Sequence, residues 1–462
     1  MSVLDGVQYF ESILDTVGHT PLVRLRAVTR GCQAAVLAKL ETFNPGSSVK
    51  DRIALAMVEA AEREGKLAPG GTIVECTSGN TGLGLAMVAA VRGYRAVFCM
   101  PDKVSSEKVS LLKAFGAEVL LSPTAVAPES PDSYYSVAQR IASDRPGAFF
   151  ANQYHNPANP EAHYRTTGPE VWEQTAGKIT HFVAGMGTGG TITGVARYLK
   201  ERNPKARIIG ADPVGSILKH YHETRELAEA HTYKIEGVGE DFIPTTTDFS
   251  VIDEVISCTD RDGLNMTRRL AREDAVFVGG SGGMAAWVAL QVARKLGSDG
   301  LVVVLLPDTG ERYLSKVHND AWMRDNHMLD PSATRVHDLV GGKARALPPL
   351  LAVQADDPLR KALALVEQHN ITQIPVMKGR EVVGTIYDSE ILKSVLADSA
   401  ALDQPVASRM DEPLPVVGSD EPVDRVTRLL ASRNAAVLVR ENGAVVGILT
   451  RFDMLQFIAG GE

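Results

Sequence analysis

Up to about residue 318 the chain alternates short β-rich runs with longer helical patterns, and this alternation restricts the possible folds more than any other feature. Residues 71–75, 81–92 and 95–100 read in turn as strand, helix and strand, the order that builds parallel sheets covered by helices. Further apolar runs over 118–121, 179–184, 207–210 and 301–306 show no period-two alternation. Strands covered on both faces of a parallel sheet lose that alternation, so these runs are expected to be core strands. The fold class is α/β, with parallel-type sheets.

From residue 319 the sequence turns polar and proline-bearing, which places a linker over 319–335. Beyond it Val382-Val383-Gly384-Thr385-Ile386 returns 63 residues later as Val445-Val446-Gly447-Ile448-Leu449. Helical patterns over 358–368 and 422–432 precede the two copies at nearly the same offset. Two copies are too few for a solenoid. They are expected to pack on each other as one pseudo-symmetric module, with copies over 336–398 and 404–460.

A chain of 462 residues has room for roughly three domains of about 150 residues each. Its 48 basic and 56 acidic residues give a net charge of −8 with no long basic cluster, so small molecules rather than nucleic acid are the expected partners. The start, Met1-Ser2-Val3-Leu4-Asp5, lacks a basic segment followed by an apolar core. No apolar run approaches the roughly 18 residues that span a bilayer, so no membrane association and a cytoplasmic location are expected. Cys32, Cys76, Cys99 and Cys258 are scattered without metal-ligand spacing, the pattern of reduced thiols and of no metal centre. Cys76, beside a polar loop, is either a reactive thiol or a small buried hydrophobe, and the second role is the expectation.

Lys50 lies in Asn44-Pro45-Gly46-Ser47-Ser48-Val49-Lys50-Asp51-Arg52, a Pro-Gly turn running into a helical pattern. A Schiff-base lysine needs a low pKa, hence partial desolvation beside fixed dipoles, and such lysines belong to pyridoxal-phosphate chemistry. An isolated lysine at this place would be a surface residue opening a helix. Two glycine-containing loops change that balance. Thr77-Ser78-Gly79-Asn80-Thr81-Gly82 follows a strand and opens a helix, where backbone N–H groups and hydroxyls favour a bound carboxylate. Thr77 or Ser78 could equally cap that helix. Ala184-Gly185-Met186-Gly187-Thr188-Gly189-Gly190-Thr191 has the same setting, with glycines for close backbone approach and hydroxyls for phosphate oxygens.

That second loop also satisfies Gly-x-Gly-x-x-Gly through Gly185, Gly187 and Gly190, with Asp212 22 residues beyond, the pattern of a dinucleotide site. Its mid-chain position, and the purposeless Lys50 and Asn80 loops it would leave, argue against that use. Gly279-Gly280-Ser281-Gly282-Gly283 precedes a further helix, with one hydroxyl placed either to meet a ring nitrogen or to sit in a packing turn. Ser47-x-x-Lys50 has the spacing of penicillin-recognising serine enzymes, but neither Ser-Asp-Asn nor Lys-Thr-Gly follows.

Residues 44–52, 77–82, 153–163, 187–191 and 279–283, with the opening Val17-Gly18-His19-Thr20-Pro21-Leu22-Val23, resemble the β-family (fold type II) of pyridoxal-phosphate enzymes, which includes cysteine synthases and cystathionine β-synthases. The resemblance covers about 8–318 and implies a catalytic region over 1–318 made of two α/β subdomains. Glu236-Gly237-Val238-Gly239-Glu240-Asp241-Phe242-Ile243-Pro244 is similar to the cystathionine β-synthase signature. The C-terminal repeats look like the tandem CBS domains named after that family, which cysteine synthases normally lack. The chain departs from animal members in lacking an N-terminal extension with haem-ligating Cys and His, in Asn203-Pro204-Lys205-Ala206 where some carry Cys-x-x-Cys, and in Glu240 where they have tyrosine. Haem is therefore not expected.

Residue by residue, the resemblance implies that Lys50 bonds pyridoxal 5′-phosphate and then serves as the catalytic base. Asn80 would face the cofactor's 3′-oxygen, Gly187, Thr188, Gly189, Gly190 and Thr191 its phosphate, and Ser281 its pyridine nitrogen. Thr77, Ser78, Thr81 and Gln153 would bind the substrate carboxylate, and Asp241 would serve the thiol half-reaction. A neutral hydroxyl does not keep the pyridine nitrogen protonated, which favours loss of a β-substituent over racemisation or transamination. The implied reaction joins L-serine and L-homocysteine into cystathionine and water. Alternatives are a cysteine synthase using O-acetylserine and sulfide, or a non-catalytic adenosyl-ligand sensor, against which the intact Lys50, Asn80 and Ser281 speak. In the repeats, Thr450 and Asp453 have the spacing with which such modules hold ribose hydroxyls, which implies S-adenosylmethionine or an adenine nucleotide. Thr-x-x-Asp also resembles a capping box. The first copy has Tyr387 and Glu390 at these places, so one site is expected rather than two. The family suggests a homodimer or homotetramer.

Overall fold

The computed structural model describes residues 2–4, 7–77, 79–102, 106–123, 126, 130–329, 335–341, 350–432 and 434–459. The chain divides into two compact units, Met1–Met323 and Arg324–Glu462. Among the described residues, the larger sheet of the first unit orders Glu254–Cys258, Arg207–Pro213, His181–Gly185, Leu301–Leu306, Ala35–Leu40 and Leu22–Arg24. Neighbours are parallel except at the Leu22–Arg24 edge, which pairs antiparallel with Ala35–Leu40. A smaller sheet orders Glu118–Ser122, Arg95–Pro101, Thr72–Cys76 and Ala148–Phe150, all parallel. Parallel pairs need crossovers, and helices such as Asn80–Arg92 and Gly190–Arg202 supply them. The apolar runs expected as core strands are all strands, with ends shifted by a few residues, and Thr72–Cys76 is buried along its whole length; Glu118–Ser122, however, is not a core strand, because it lies at the edge of the smaller sheet and leaves Leu121 exposed. No helix among the described residues is long and apolar enough to cross a membrane.

In the second unit each copy of the repeat is a parallel strand pair continued by an antiparallel hairpin. The first copy has Val353–Gln354, Gln373–Lys378 and Glu381–Tyr387, and the second Val416–Gly418, Ala436–Glu441 and Ala444–Thr450. Both hairpins shift register at the same place, between Val376 and Met377 and between Val439 and Arg440. Helices Leu359–His369 and Val423–Ala431 start behind Pro358 and Pro422, where a missing N–H costs nothing. Val382 of the first copy packs against the cluster of Leu414, Ala436 and Leu438, as do Val445 and Ile448 of the second, so the copies share a core. Helix Val336–Gly341 puts Val336 into the core of the second copy, with Val417, Val423 and Val426. A short helix, Asp320–Asp325, lies in the stretch read as a linker.

Helix Lys50–Arg63 joins the two cores of the first unit. The preceding Val49 packs with Phe182, Val303 and Leu305 of the larger sheet, whereas Ile53, Ala54, Met57 and Val58 pack with Ile73 and Phe98 of the smaller and with Leu85 of helix Asn80–Arg92. Between them, Arg52 donates through Nε to Glu41 Oε2 at 2.7 Å and through Nη1 to Glu170 Oε1 at 2.6 Å. Lys39 donates to Glu170 Oε2 at 2.6 Å. The side chains of Arg52, Glu41 and Lys39 are buried, and Glu170 is nearly so. Burial alone would raise the Glu41 carboxyl's pKa, but the Arg52 guanidinium overrides it. Glu170 is likewise brought down to about 2, against its burial, by Arg52 and Lys39.

The opening motif is fastened to the same network. Thr20 Oγ1 donates to Glu41 Oε1 at 2.7 Å, His19 N–H to Glu170 Oε1 at 2.9 Å, and Gly18 N–H to Asn44 Oδ1 at 2.9 Å. Gly18 has φ +93°, and a Cβ there would stand 3.0 Å from Arg52 Nη1, so both backbone conformation and space call for glycine. Arg52→Ala would leave two buried carboxylates without their shared cation. We expect it to lose about 3–5 kcal/mol of stability. Urea unfolding followed by tryptophan fluorescence measures this directly, because Trp172, Trp287 and Trp322 all belong to the first unit; an unchanged midpoint would show that the network carries no stability.

Candidate active site

The Lys50 turn is stitched to the end of strand Leu301–Leu306. Val49 N–H donates to Pro307 O at 2.8 Å, and Ser48 bridges Asp308. Asp308 is 1% exposed and is the meeting point of three sequence-distant segments. Its Oδ2 accepts from Asn80 Nδ2 at 2.8 Å and from the Tyr313 hydroxyl at 2.7 Å, while its carbonyl accepts from Gly279 N–H at 3.2 Å. Lys50, Asn80 and the Ser281 loop are thereby brought together. Arg312 donates to Asn80 Oδ1 and to Gly46 O, so the Asn80 amide is held at both ends. Sequence reasoning overlooked Asp308 and Arg312; the turn Pro307-Asp308-Thr309-Gly310 after a buried strand is the signal that could have found them.

Lys50 is the first residue of its helix and is half-buried. Desolvation lowers its pKa to about 8, against the attraction of Glu240 and Asp308. The neighbouring Asp51 closes the turn by accepting from Gly46 N–H at 2.6 Å, and burial raises its pKa to about 7. Burial also raises Glu240 to about 8, with Asp241 adding to the rise and Lys50 and Tyr154 opposing it.

Thr77 is buried, and its hydroxyl accepts from Gly79 N–H at 3.2 Å. Helix Asn80–Arg92 starts behind Gly79 with no side-chain cap, so Thr77 does not cap it; Ser78 lies outside the described residues. Thr81 Oγ1 donates to Gln153 Oε1 at 2.7 Å, and Gln153 N–H donates to Glu75 Oε2 at 3.3 Å. Glu75 sits wholly buried behind this loop, and desolvation raises its pKa to about 8. A carboxyl kept neutral in this way adds no negative charge behind an anion site. Burial also raises the Cys76 thiol well above its ordinary range, which makes it an inert buried side chain rather than a reactive one.

The second loop runs from strand His181–Gly185 into helix Gly190–Arg202, with Gly189 at φ +77° before the first turn. The N–H groups of Thr188, Gly189, Gly190 and Thr191 donate to no carbonyl among the described residues, leaving helix-terminal donors for an anion. A Cβ on Gly189 would overlap Thr247 and one on Gly190 would overlap Asn159, so the loop packs too closely for side chains; Gly187 faces the carbonyl of Gly237. Asn159 Nδ2 donates to Gln153 O at 2.8 Å and to Thr188 Oγ1 at 3.2 Å, which ties the two loops together. Thr191 Oγ1 meets His163 Nε2 at 3.1 Å, and burial keeps that imidazole's pKa well below its ordinary value. Asp212, the acid of the dinucleotide alternative, is instead buried and accepts from Lys219 N–H at 3.0 Å.

Ser281 is buried in the first turn of helix Gly280–Ala293, and Asp241 is exposed. In the second unit, Thr450 N–H and Oγ1 donate to Asp453 Oδ2 at 2.6 and 2.7 Å, and Asp453 N–H returns to Thr450 Oγ1 at 3.3 Å. Thr450 and Asp453 thus form the capping box. An amine of lowered pKa, a loop of open N–H donors and a second polar loop fit an aldehyde cofactor bearing a phosphate.

Residues 13–308 match the family described as pyridoxal-phosphate dependent enzyme, and 344–397 and 406–460 each match the CBS domain. The cystathionine β-synthase of Dictyostelium discoideum is 36% identical over 463 residues, covering 97% of this chain and 92% of that protein. The chain belongs to the cystathionine β-synthase family. The Apis mellifera cystathionine β-synthase is 45% identical over 329 residues, 71% of this chain and 65% of that one. Among solved structures, the O-acetylserine dependent cystathionine β-synthase from Helicobacter pylori is 37% identical with a TM-score of 0.62, covering 67% of this chain and 99% of that one. An O-ureido-L-serine synthase is 41% identical with a TM-score of 0.62, covering 67% and 95%. Membership makes the protein a pyridoxal-phosphate-dependent lyase of the β-replacement type, with a fold type II core and tandem CBS domains.

The Glu75 carboxyl supplies a pH test. Its pKa of about 8 in the folded protein stands above the ordinary 4.5, so the folded state binds the proton more tightly and stability falls as pH rises through that window. Glu75→Gln removes the titrating group. Denaturation midpoints should show the variant gaining on the wild-type protein between pH 5 and pH 8, and a gap that stays constant would contradict a neutral Glu75.

Proposed function

We propose that the protein condenses L-serine with L-homocysteine to cystathionine and water, as a cytoplasmic homodimer or homotetramer. In this reading 1–318 is the catalytic region, 319–335 the linker, and 336–398 and 404–460 the two CBS domains. The observation that carries it is the lowered pKa of the Lys50 amine at a junction of loops suited to a phosphate and a carboxylate, in a chain that also has tandem CBS domains. When bound, pyridoxal phosphate supplies an electron sink that labilises the proton beside an amino acid's carboxylate. Lys50 holds the cofactor and afterwards takes up and returns that proton. Gly187, Thr188, Gly189, Gly190 and Thr191 hold the phosphate, Asn80 faces the 3′-oxygen, and Ser281 meets the pyridine nitrogen. Thr77, Ser78, Thr81 and Gln153 orient the substrate carboxylate, and Asp241 serves the incoming thiol. Haem has no role in this reading.

A second reading, O-acetylserine as donor, is favoured by the likeness to the Helicobacter pylori enzyme. Lys50→Ala should lose turnover and the cofactor's bound absorption band, because nothing else in the turn supplies an amine. Assays of the wild-type protein with each donor, with homocysteine and with sulfide, decide the substrates: efficient use of O-acetylserine and sulfide with no cystathionine would favour a cysteine synthase.

The CBS domains are proposed to bind S-adenosylmethionine or an adenine nucleotide at one site around Thr450 and Asp453. Calorimetry on the full chain should show heat with S-adenosylmethionine, AMP or ATP that Asp453→Ala abolishes. Equal heats, or none, would leave Asp453 as a helix cap.

A further inference from the structure

Helix Ala158–Arg165 carries two polar side chains one turn apart, Asn159 and His163, and each meets a threonine of the 187–191 loop. Asn159 Nδ2 donates to Gln153 O at 2.8 Å and to Thr188 Oγ1 at 3.2 Å. The Gln153 carbonyl can accept only from the amide nitrogen, which fixes the amide's orientation and makes Thr188 Oγ1 an acceptor. His163 Nε2 lies 3.1 Å from Thr191 Oγ1, and its Nδ1 lies 2.8 Å from Thr167 Oγ1. The imidazole is 1% exposed. Burial, with Arg52 and Lys50 adding to it against Glu170, holds its pKa well below the ordinary value. The ring is therefore uncharged, with one donor and one acceptor. Thr167 chooses between the two tautomers. It is wholly buried in the first turn of helix Thr167–Gln174, and among the described residues its hydroxyl has no hydrogen bond other than that to His163. A buried hydroxyl needs an acceptor for its hydrogen, and Nδ1 is that acceptor. The ring proton then stands on Nε2 and is donated to Thr191 Oγ1. With the proton on Nδ1 instead, Thr167 would lose its acceptor and Thr191 would give its single hydrogen to Nε2.

We propose that His163 is a positioning residue for the cofactor's phosphate: its Nε2–H, donated to Thr191 Oγ1, leaves the Thr191 hydroxyl hydrogen for a phosphate oxygen, as Asn159 does for Thr188. The inference rests on the assignment of Thr188 and Thr191 to the phosphate in the functional reading above. A phosphate oxygen only accepts, so a threonine hydroxyl binds it through its hydrogen alone. A donor behind the threonine oxygen keeps that hydrogen free and polarises it. The helix is held close enough to the loop for this to be a fixed arrangement, since a Cβ on Gly194 would stand 2.7 Å from His163 Cβ and one on Gly190 would overlap Asn159. Helix Thr167–Gln174 also carries Glu170, the partner of Arg52, so one element sets both the His163 tautomer and the Lys50 helix.

The test compares the affinities of the full chain, freed of cofactor, for pyridoxal 5′-phosphate and for pyridoxal, which lacks the phosphate, both read from absorption. His163→Leu removes the donor and should weaken binding of pyridoxal 5′-phosphate about tenfold, the scale of one hydrogen bond to a charged group, with pyridoxal bound as before. His163→Gln, whose side-chain amide keeps a donor, should recover most of the loss. In a Thr191→Val background, His163→Leu should add no further loss, because the hydroxyl it acts through is gone. In wild-type holoenzyme labelled with nitrogen-15 histidine, the signal that His163→Gln removes should show its proton on Nε2. A proton on Nδ1, a loss shared equally by pyridoxal, a glutamine variant as weak as the leucine one, or losses from His163→Leu and Thr191→Val that add would each overturn the inference while leaving Thr191 on the phosphate. Thr191→Val protein that binds pyridoxal 5′-phosphate as tightly as the wild type would overturn the assignment of Thr191 and the inference with it.

Discussion

The buried contact of Arg52 with Glu41 and Glu170, extended by Lys39, is the constraint on which the catalytic unit depends. Its four charges come from a strand of the larger sheet, the turn after it, the Lys50 helix and helix Thr167–Gln174. Such a cluster is costly to bury and intolerant of losing one member. It fixes the angle at which the helix leaves its turn, two residues after Lys50. The N-terminal segment is fastened to the same charges through Gly18, His19 and Thr20, so the chain's opening motif is part of the support for the lysine.

Lys50 stands at the seam of two hydrophobic cores, with Val49 in one and Ile53 in the other. The strands that end there do so at their carboxyl ends, where parallel sheets expose helix N-termini and loop N–H groups. Near a single amine the fold then gathers Asp308, Glu240 and, behind Thr77 and Thr81, Glu75, all with pKa values raised mainly by burial. The site is thus lined with carboxyls whose charge is restrained by desolvation. That suits chemistry in which an anion must bind and a proton must be stored close by.

The repeats follow a different logic. Each copy packs its own helices on its short sheet, and a further core, in which Val382 of the first copy and Val445 and Ile448 of the second pack against Leu414, Ala436 and Leu438, joins the two. Helix Val336–Gly341 opens the first copy as bounded from the sequence, yet its Val336 packs in the core of the second. The Thr450–Asp453 hydrogen bonds satisfy donors at the start of helix Arg451–Ala459, which any helix N-terminus requires with or without a ligand.

The order of strands and helices, the repeat, and the loops of Lys50, Asn80, Gly187 and Ser281 were legible because periodicity and glycine placement are local properties, written wherever the backbone needs them. The opening motif at Gly18 was recognisable, but its purpose was not, since its partners Asn44 and Glu170 lie distant in sequence. Asp308 and Arg312 are marked in the sequence only by a turn after a buried strand, a signal shared by many loops; their meaning arises when a strand end, a turn and a helix start converge on one carboxylate. The same holds for the choice between two uses of one loop: Asp212 fitted a dinucleotide pattern by spacing, and its actual partner is Lys219 N–H. Sequence alone determined the α/β order of the elements, the repeat and the places of the glycine-containing loops. Tertiary structure decided their electrostatics, because a pKa depends on what burial removes and which charges arrive from elsewhere in the chain.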